Sequence, residues 1–221
     1  NSYNTIAGIY EDLGHYDLAL DYQQKAFTIR QQILSPDDPD LIITYNNIAD
    51  IYLSLGHYDR TVEYMEKAFE LQKQVLEPNN PLVGMLYHNI SSLYQTLGQY
   101  EKARDTLQRA IQIQKQVLEP IHPNLGLFYN TLSTIYMEMG DYDQAKTAVL
   151  KAIAIREQVF QPDHSSIGKS YNNLALIHQA LGQFPAALEA ILNSIDIDKK
   201  NLEEDHPELG TSYYNLANIY Y

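Results

Sequence analysis

A recurrence at a spacing of 42 residues constrains this chain more than any other feature. Leu13-Gly14, Leu55-Gly56, Leu97-Gly98, Met139-Gly140 and Leu181-Gly182 stand in register. The same interval carries Tyr3, Tyr45, Tyr87, Tyr129, Tyr171 and Tyr213, then Tyr10, Tyr52, Tyr94, Tyr136 and Tyr220, with His178 once in the tyrosine's place. An aromatic follows each glycine at Tyr16, Tyr58, Tyr100, Tyr142 and Phe184, and a small residue lies further on at Ala26, Ala68, Ala110, Ala152 and Ser194. Self-similarity of this kind means stacked supersecondary units, because one unit of this length cannot bury its own apolar face.

Within a repeat, Tyr45, Ile48, Ala49, Tyr52 and Leu55 follow the i, i+3, i+4, i+7 spacing of one helix face. Gly56 then ends that helix, and a second amphipathic run continues through Met65, Ala68, Phe69, Leu71 and Val75. Each repeat therefore reads as a helical hairpin. Second helices are expected to stop near Ser35-Pro36, Glu77-Pro78, Glu119-Pro120 and Gln161-Pro162. First helices are expected to begin around Pro39, Pro81, Pro123 and Pro207, where a fixed φ and a missing N–H suit a first turn, with Ser165 in the proline's place once. The expectation is an all-α solenoid of eleven helices: five hairpins and the first helix of a sixth. It runs as one domain over 1–221, with repeats 1–38, 39–80, 81–122, 123–164, 165–206 and a partial 207–221, cut from a longer protein.

The residues Tyr45-Asn46-Asn47-Ile48-Ala49, Tyr52, Leu55-Gly56, Tyr58 and Ala68 resemble the tetratricopeptide repeat (TPR), over essentially the whole chain. The period and the loops Pro162-Asp163-His164 and Asp205-His206-Pro207 are more similar to kinesin light chain arrays than to the shorter common repeat. The resemblance implies a right-handed superhelical solenoid whose first helices line a concave, peptide-holding groove. It implies a protein–protein interaction scaffold or adaptor without enzymatic activity. The alternative is a regulatory or self-associating array within a larger enzyme or signalling protein. Family members that clamp a C-terminal carboxylate use Lys and Arg in the groove, and few such residues stand here.

Composition narrows the partners. A formal charge of −13 repels phosphate backbones and anionic lipid surfaces, which excludes nucleic acid and membrane from the expected partners. No apolar tract reaches the length of a membrane span, and cysteine is absent, which removes disulfides and thiolate metal sites and points to a reducing, cytoplasmic setting.

A binding site is sought on the first-helix stripe opposite the buried one, which in the second repeat reads Ile43, Asn46, Asn47, Asp50 and Ser54. An idle solvated face favours Lys and Glu, whereas this one carries Asn, Ser and Thr at some cost in helix propensity. Amides supply donor and acceptor together, so Asn46, Asn47, Asn89, Asn130, Asn172, Asn173 and Asn215 are candidates to bond the backbone of an extended peptide. The alternative is that they bond to neighbouring helices and set hairpin spacing. Ile43, Met85 and Leu127 form a second stripe that either takes apolar ligand side chains or packs between repeats. Asp12, Asp50 and Glu138 outnumber Lys169, which favours a neutral to basic ligand segment. The apolar face of Tyr213, Leu216, Ala217 and Tyr220 is a candidate for self-association.

Other constellations have simpler explanations. His122, His164 and His206 recur in loops of different repeats, without the short spacing of a zinc site, so neither metal nor cofactor is expected. Lys25, Lys67 and Arg109 follow Asp21, Glu63 and Asp105 by four residues, as in intrahelical ion pairs. The tyrosines sit at repeat-defining positions and are expected to fill the core. No phosphate loop or nucleophile–base motif is present, so no catalytic residue is assigned.

Overall fold

The computed structural model describes residues 2–75, 81–117, 119, 121–203 and 206–220. The described residues form eleven α-helices and no strand. First helices are α1 (Ser2–Asp12), α3 (Asp40–Ser54), α5 (Pro81–Thr96), α7 (Pro123–Glu138), α9 (Ser165–Ala180) and α11 (Pro207–Tyr220). Second helices are α2 (Tyr16–Ile33), α4 (Tyr58–Val75), α6 (Tyr100–Val117), α8 (Tyr142–Val159) and α10 (Phe184–Asn201). The expected starts at Pro81, Pro123 and Pro207 are met, while Pro39 stands one residue before α3 as its cap. Glu77-Pro78, Pro120 and Asp205 lie outside the described residues.

Contacts gather into two compact units, Asn1–Leu86 and Tyr87–Tyr221. In the first, α1 packs on α2, α2 on α3 and α3 on α4. In the second, each helix from α6 to α11 packs on the next, and the first helices α7, α9 and α11 also touch one another in sequence. Successive hairpins completing one another's cores is the arrangement of a helical-repeat solenoid.

The turn inside each hairpin is set by glycine. At Gly140, φ is 77°, a left-handed conformation in which a Cβ would crowd the following carbonyl. The closing bonds form a Schellman motif: the Gly140 N–H donates to the Met137 carbonyl at 3.0 Å and the Asp141 N–H to the Tyr136 carbonyl at 2.9 Å. Asp141 then caps α8, its Oδ1 accepting from the Gln144 N–H.

The closest helix approaches use small residues. Ala103, Ala110, Ala145, Ala152 and Ala187 are all fully buried, and the Ser91 hydroxyl donates to the Ala103 carbonyl at 2.7 Å, tying α5 to α6. In the second unit the core gathers Val149, Ile153, Leu174, Ile177, Ile191 and Ile195, with Tyr136 and Tyr171 packed at its edge. The tyrosines are not a uniformly buried set. Tyr94 and Tyr129 are buried, but Tyr3, Tyr213 and Tyr220 are exposed, and many rings stack across the hairpin instead, as Tyr10 does on Tyr22 and Tyr52 on Tyr64. A phenol keeps its hydroxyl wet while its ring covers apolar surface, which places it between core and solvent.

The expected ion pairs Lys25–Asp21 and Lys67–Glu63 form at 2.5 and 2.6 Å. Asp105 instead pairs with its neighbour Arg104 at 2.8 Å.

Glycines of one chain thus differ in what they permit. Gly140→Ala is expected to cost about 1–2 kcal/mol through its left-handed φ. Gly210, inside α11 with open space where a Cβ would lie, is expected to gain about 0.5–1 kcal/mol on replacement by Ala. Urea denaturation of the two single variants reads both signs.

Candidate interaction site on the first helices

In the first unit, α3 carries Ile43, Asn46 and Asn47, and α5 begins with Met85 in its first turns. Ile43 is 56% exposed, Asn46 is exposed, and Asn47 and Met85 are half-buried. Among the described residues the Asn46 and Asn47 amides have no hydrogen-bond partner. This face is acidic: partial burial, followed by the charges of Asp50 and Asp12, pushes the Glu11 carboxyl above its usual range.

In the second unit the candidate amides are tied together. The Asn173 Nδ2 donates to Asn130 Oδ1 at 3.4 Å, and the Asn215 Nδ2 to Asn172 Oδ1 at 3.0 Å. His88 Nε2 and Thr131 Oγ1 meet at 3.1 Å in the same geometry. Each bond joins a residue on one first helix to a residue 43 positions later, one step past the repeat. The amides therefore brace neighbouring first helices. A side-chain amide offers two donors and a carbonyl with two lone pairs, so bracing leaves capacity on Asn172 and Asn173, whereas the Asn130 carbonyl also accepts from the Ser170 hydroxyl and keeps only its Nδ2 donors. Asn130, Asn172 and Asn173 are half-buried, Asn215 is buried, Asn89 is exposed and Leu127 is half-buried.

Asn130, Asn172 and Asn173 also line an open cavity of about 330 Å³, together with Lys169, Ser194, Asp198, Thr211 and Ser212. Its walls come from α7, α9, α10 and α11. Asp198, 8% exposed, is the one acidic group in this lining. Its Oδ2 accepts from the Ser212 hydroxyl at 2.8 Å, with the Ser194 hydroxyl farther off at 3.5 Å. Gly168 makes room for it, since a Cβ there would stand 3.1 Å from Asp198 Oδ1.

Sequence reasoning on first helices alone missed Ser194, Asp198 and Ser212. The signal lay in the second helices: one register position reads Arg30, Gln72, Gln114, Arg156 and Asp198, and the position opposite reads Thr44, Leu86, Phe128, Ser170 and Ser212. Arg30 donates to the Thr44 hydroxyl. Arg156, 5% exposed, donates through Nη1 to the Ser170 hydroxyl at 2.6 Å and the Ser166 carbonyl at 2.5 Å, and Ser170 in turn donates to Asn130 Oδ1 at 2.9 Å. Burial lowers the Arg156 guanidinium pKa to about 10. In register, Phe128 stands where Gln114 would find a hydroxyl, and both Gln114 side-chain polar atoms are buried without a partner.

Of the recurrent loop histidines, His122 and His164 act as helix caps. His122 Nδ1 accepts from the Asn124 N–H and His164 Nδ1 from the Ser166 N–H, each at 3.2 Å. Among the described residues no group of three or more His, Asp or Glu side chains is arranged to hold a metal ion.

Two measurements test this reading. Gln114→Met removes two unsatisfied buried atoms at similar volume and is expected to raise stability by about 1 kcal/mol in denaturant titration. His88, stacked on Phe128 at 5.0 Å, has its imidazole pKa lowered from 6.5 chiefly by burial. The unfolded chain therefore takes up this proton first as pH falls, and the folded state loses stability below about pH 6.5. His88→Asn, the residue found in register at Asn46 and Asn130, is expected to flatten that part of the melting temperature profile.

The MalT-like TPR region matches residues 80–196, and two tetratricopeptide repeat families match residues 1–60 and 41–82. No curated protein matches the chain. Among solved structures it is similar to the nearly identical TPR-like repeats of Podosopora anserina, described as a kinesin light chain, with TM-score 0.73 and 24% identity, covering 91% of this chain and 96% of that one. BtubC (BKLC) from P. vanneervenii follows at TM-score 0.71 and 21% identity over 92% of this chain and 82% of that one. MamA has TM-score 0.59 and 20% identity over 88% and 95%. At these identities the likeness is one of fold, of the kinesin-light-chain-like repeat type. With more than half of its length matched, the chain belongs to the MalT-like TPR family of tetratricopeptide-repeat proteins.

Proposed function

We propose that this chain is a protein-interaction scaffold that holds an extended segment of a partner along its first-helix faces. The observation that carries the reading is the open cavity at Asn130, Asn172 and Asn173, where amides and hydroxyls from successive repeats converge on one space. Such groups serve a peptide backbone whatever its sequence, since Asn172 and Asn173 each keep a donor and an acceptor and Asn130 keeps its Nδ2 donors. In the first unit Asn46 and Asn47 supply the same chemistry beside the exposed Ile43, which suits an apolar ligand side chain. The acidic setting around Glu11, Asp12 and Asp50 favours a neutral to basic segment. Among the described residues no helix is long and apolar enough to cross a membrane.

A second reading, self-association, is favoured by one observation: Tyr213, Tyr214 and Tyr220 of α11 are 44%, 66% and 70% exposed. Light scattering over a concentration series distinguishes it, because a monodisperse monomer at high concentration removes this reading and leaves the first untouched.

The amides divide into two classes with different expected responses. Asn47→Ala removes a ligand bond without removing an internal one, so affinity for a peptide selected on the array is expected to fall about two- to tenfold, with melting temperature unchanged or slightly raised. Asn173→Ala also cuts the brace to Asn130, so stability and affinity are expected to fall together. Unchanged peptide binding by Asn47→Ala would remove the groove assignment from α3.

A further inference from the structure

Resting on that reading, we infer that the cavity around Asp198 is a socket for a single cationic side chain, an Arg or Lys of the bound segment. Three independent features converge there. The first is a carboxylate whose hydrogen-bond partners are hydroxyls. Asp198 is 8% exposed and its partners are the hydroxyls of Ser212 and Ser194, while no Lys, Arg or His nitrogen of the described residues pairs with it. Hydroxyl donors bring no positive charge to a carboxylate, and a cationic donor makes a stronger hydrogen bond to it.

The second feature is space. An open cavity of about 330 Å³ has Asp198 in its lining. In register, the preceding repeat has the long side chain of Arg156, whose guanidinium reaches the Ser170 hydroxyl beside Asn130. Asp198, Ser212 and Asn172 occupy the corresponding three positions one repeat later. Arginine fills this position from within at Arg156; at Asp198 the chain supplies a short residue of opposite charge and leaves the volume open. A ligand guanidinium or ammonium placed there restores from outside what the preceding repeat provides from inside.

The third feature is the construction of the wall. Gly168 allows the carboxylate to approach α9, since a Cβ would meet Asp198 Oδ1 at 3.1 Å and Ile197 Cγ2 at the same distance. Gly126 does the same for the Arg156 stem at 3.1 Å. The close approach of second helix to first helix is thus kept while the charge of the residue using it is reversed.

The test titrates the 221-residue chain with N-acetylarginine amide and with its neutral isostere N-acetylcitrulline amide, following backbone amide resonances. Shifts at Gly168, Ser194 and Ser212 are expected with the arginine probe and not with the citrulline probe. Asp198→Asn, which keeps the acceptor for Ser212, is expected to weaken the arginine probe at least about thirtyfold. Asp198→Arg, which returns the residue of the preceding repeat, is expected to abolish the response, and thermal melts of both variants confirm that they fold. Equal response to the two probes, or undiminished binding by folded Asp198→Asn, overturns the inference, as does silence of the three resonances. Random peptide selection on the same chain separates this from the scaffold reading. Groove-binding peptides without Arg or Lys enrichment leave the scaffold standing and the socket refuted. A positive arginine titration with no selectable peptide does the reverse.

Discussion

Within each compact unit, packing of one hairpin's apolar face onto its neighbour is the constraint on which the rest of the structure depends. A pair of helices of this length has too little interior to stabilise itself, so the energy of Ile177, Ile191 or Val149 is realised only when α8, α9 and α10 lie together. That requirement explains the recurrence of Ala at the contact points, where Ala145, Ala152 and Ala187 have no exposed surface. A larger side chain there would force the helices apart along with every contact beyond them. The glycine turn serves the same end, because it reverses the chain within a few residues and delivers the second helix at a fixed angle to the first.

Once stacking is satisfied, the remaining positions are free to differ, and the polar residues of this chain change there from repeat to repeat. The second-helix position occupied by Arg30, Gln72, Gln114, Arg156 and Asp198 shows how. Its backbone setting repeats, yet one member is an arginine holding Ser170, another a glutamine whose buried polar atoms lack a partner, and the last a carboxylate in the lining of an open cavity. Buried polar groups are costly unless bonded, so such positions are seldom occupied by chance. The same reasoning applies to the first-helix amides, which brace adjacent repeats through Asn173–Asn130 and Asn215–Asn172. Bracing and recognition are compatible in one residue, because preorganising an amide lowers the ordering cost of using it.

Much of the fold was legible beforehand because helix periodicity, left-handed glycine and proline at a helix start are local properties of the chain. The eleven helices, the turn glycines and the alternation of first and second helices all follow from them. The candidate site was legible only in part. The line of Asn residues was visible as a costly departure from good helix formers, but the partner of each amide depends on how far one helix is displaced against the next. That displacement sets a bond spacing of 43 rather than 42, and no local rule supplies it. The roles of His122 and His164 as caps were hidden for a similar reason, since a ring nitrogen aligned with a backbone N–H is a matter of loop conformation.

By itself, then, the sequence determined the repeat, the helices and the family, since each rests on interactions within a few residues or on a period that any stacking must respect. Tertiary structure decided which polar residues meet. It joined Asn130 of α7, Asn172 of α9, Asp198 of α10 and Ser212 of α11 around one cavity, although they span more than eighty residues of chain. Convergence of that kind is fixed by the distance and rotation between packed helices, quantities that arise only when whole side-chain surfaces interlock.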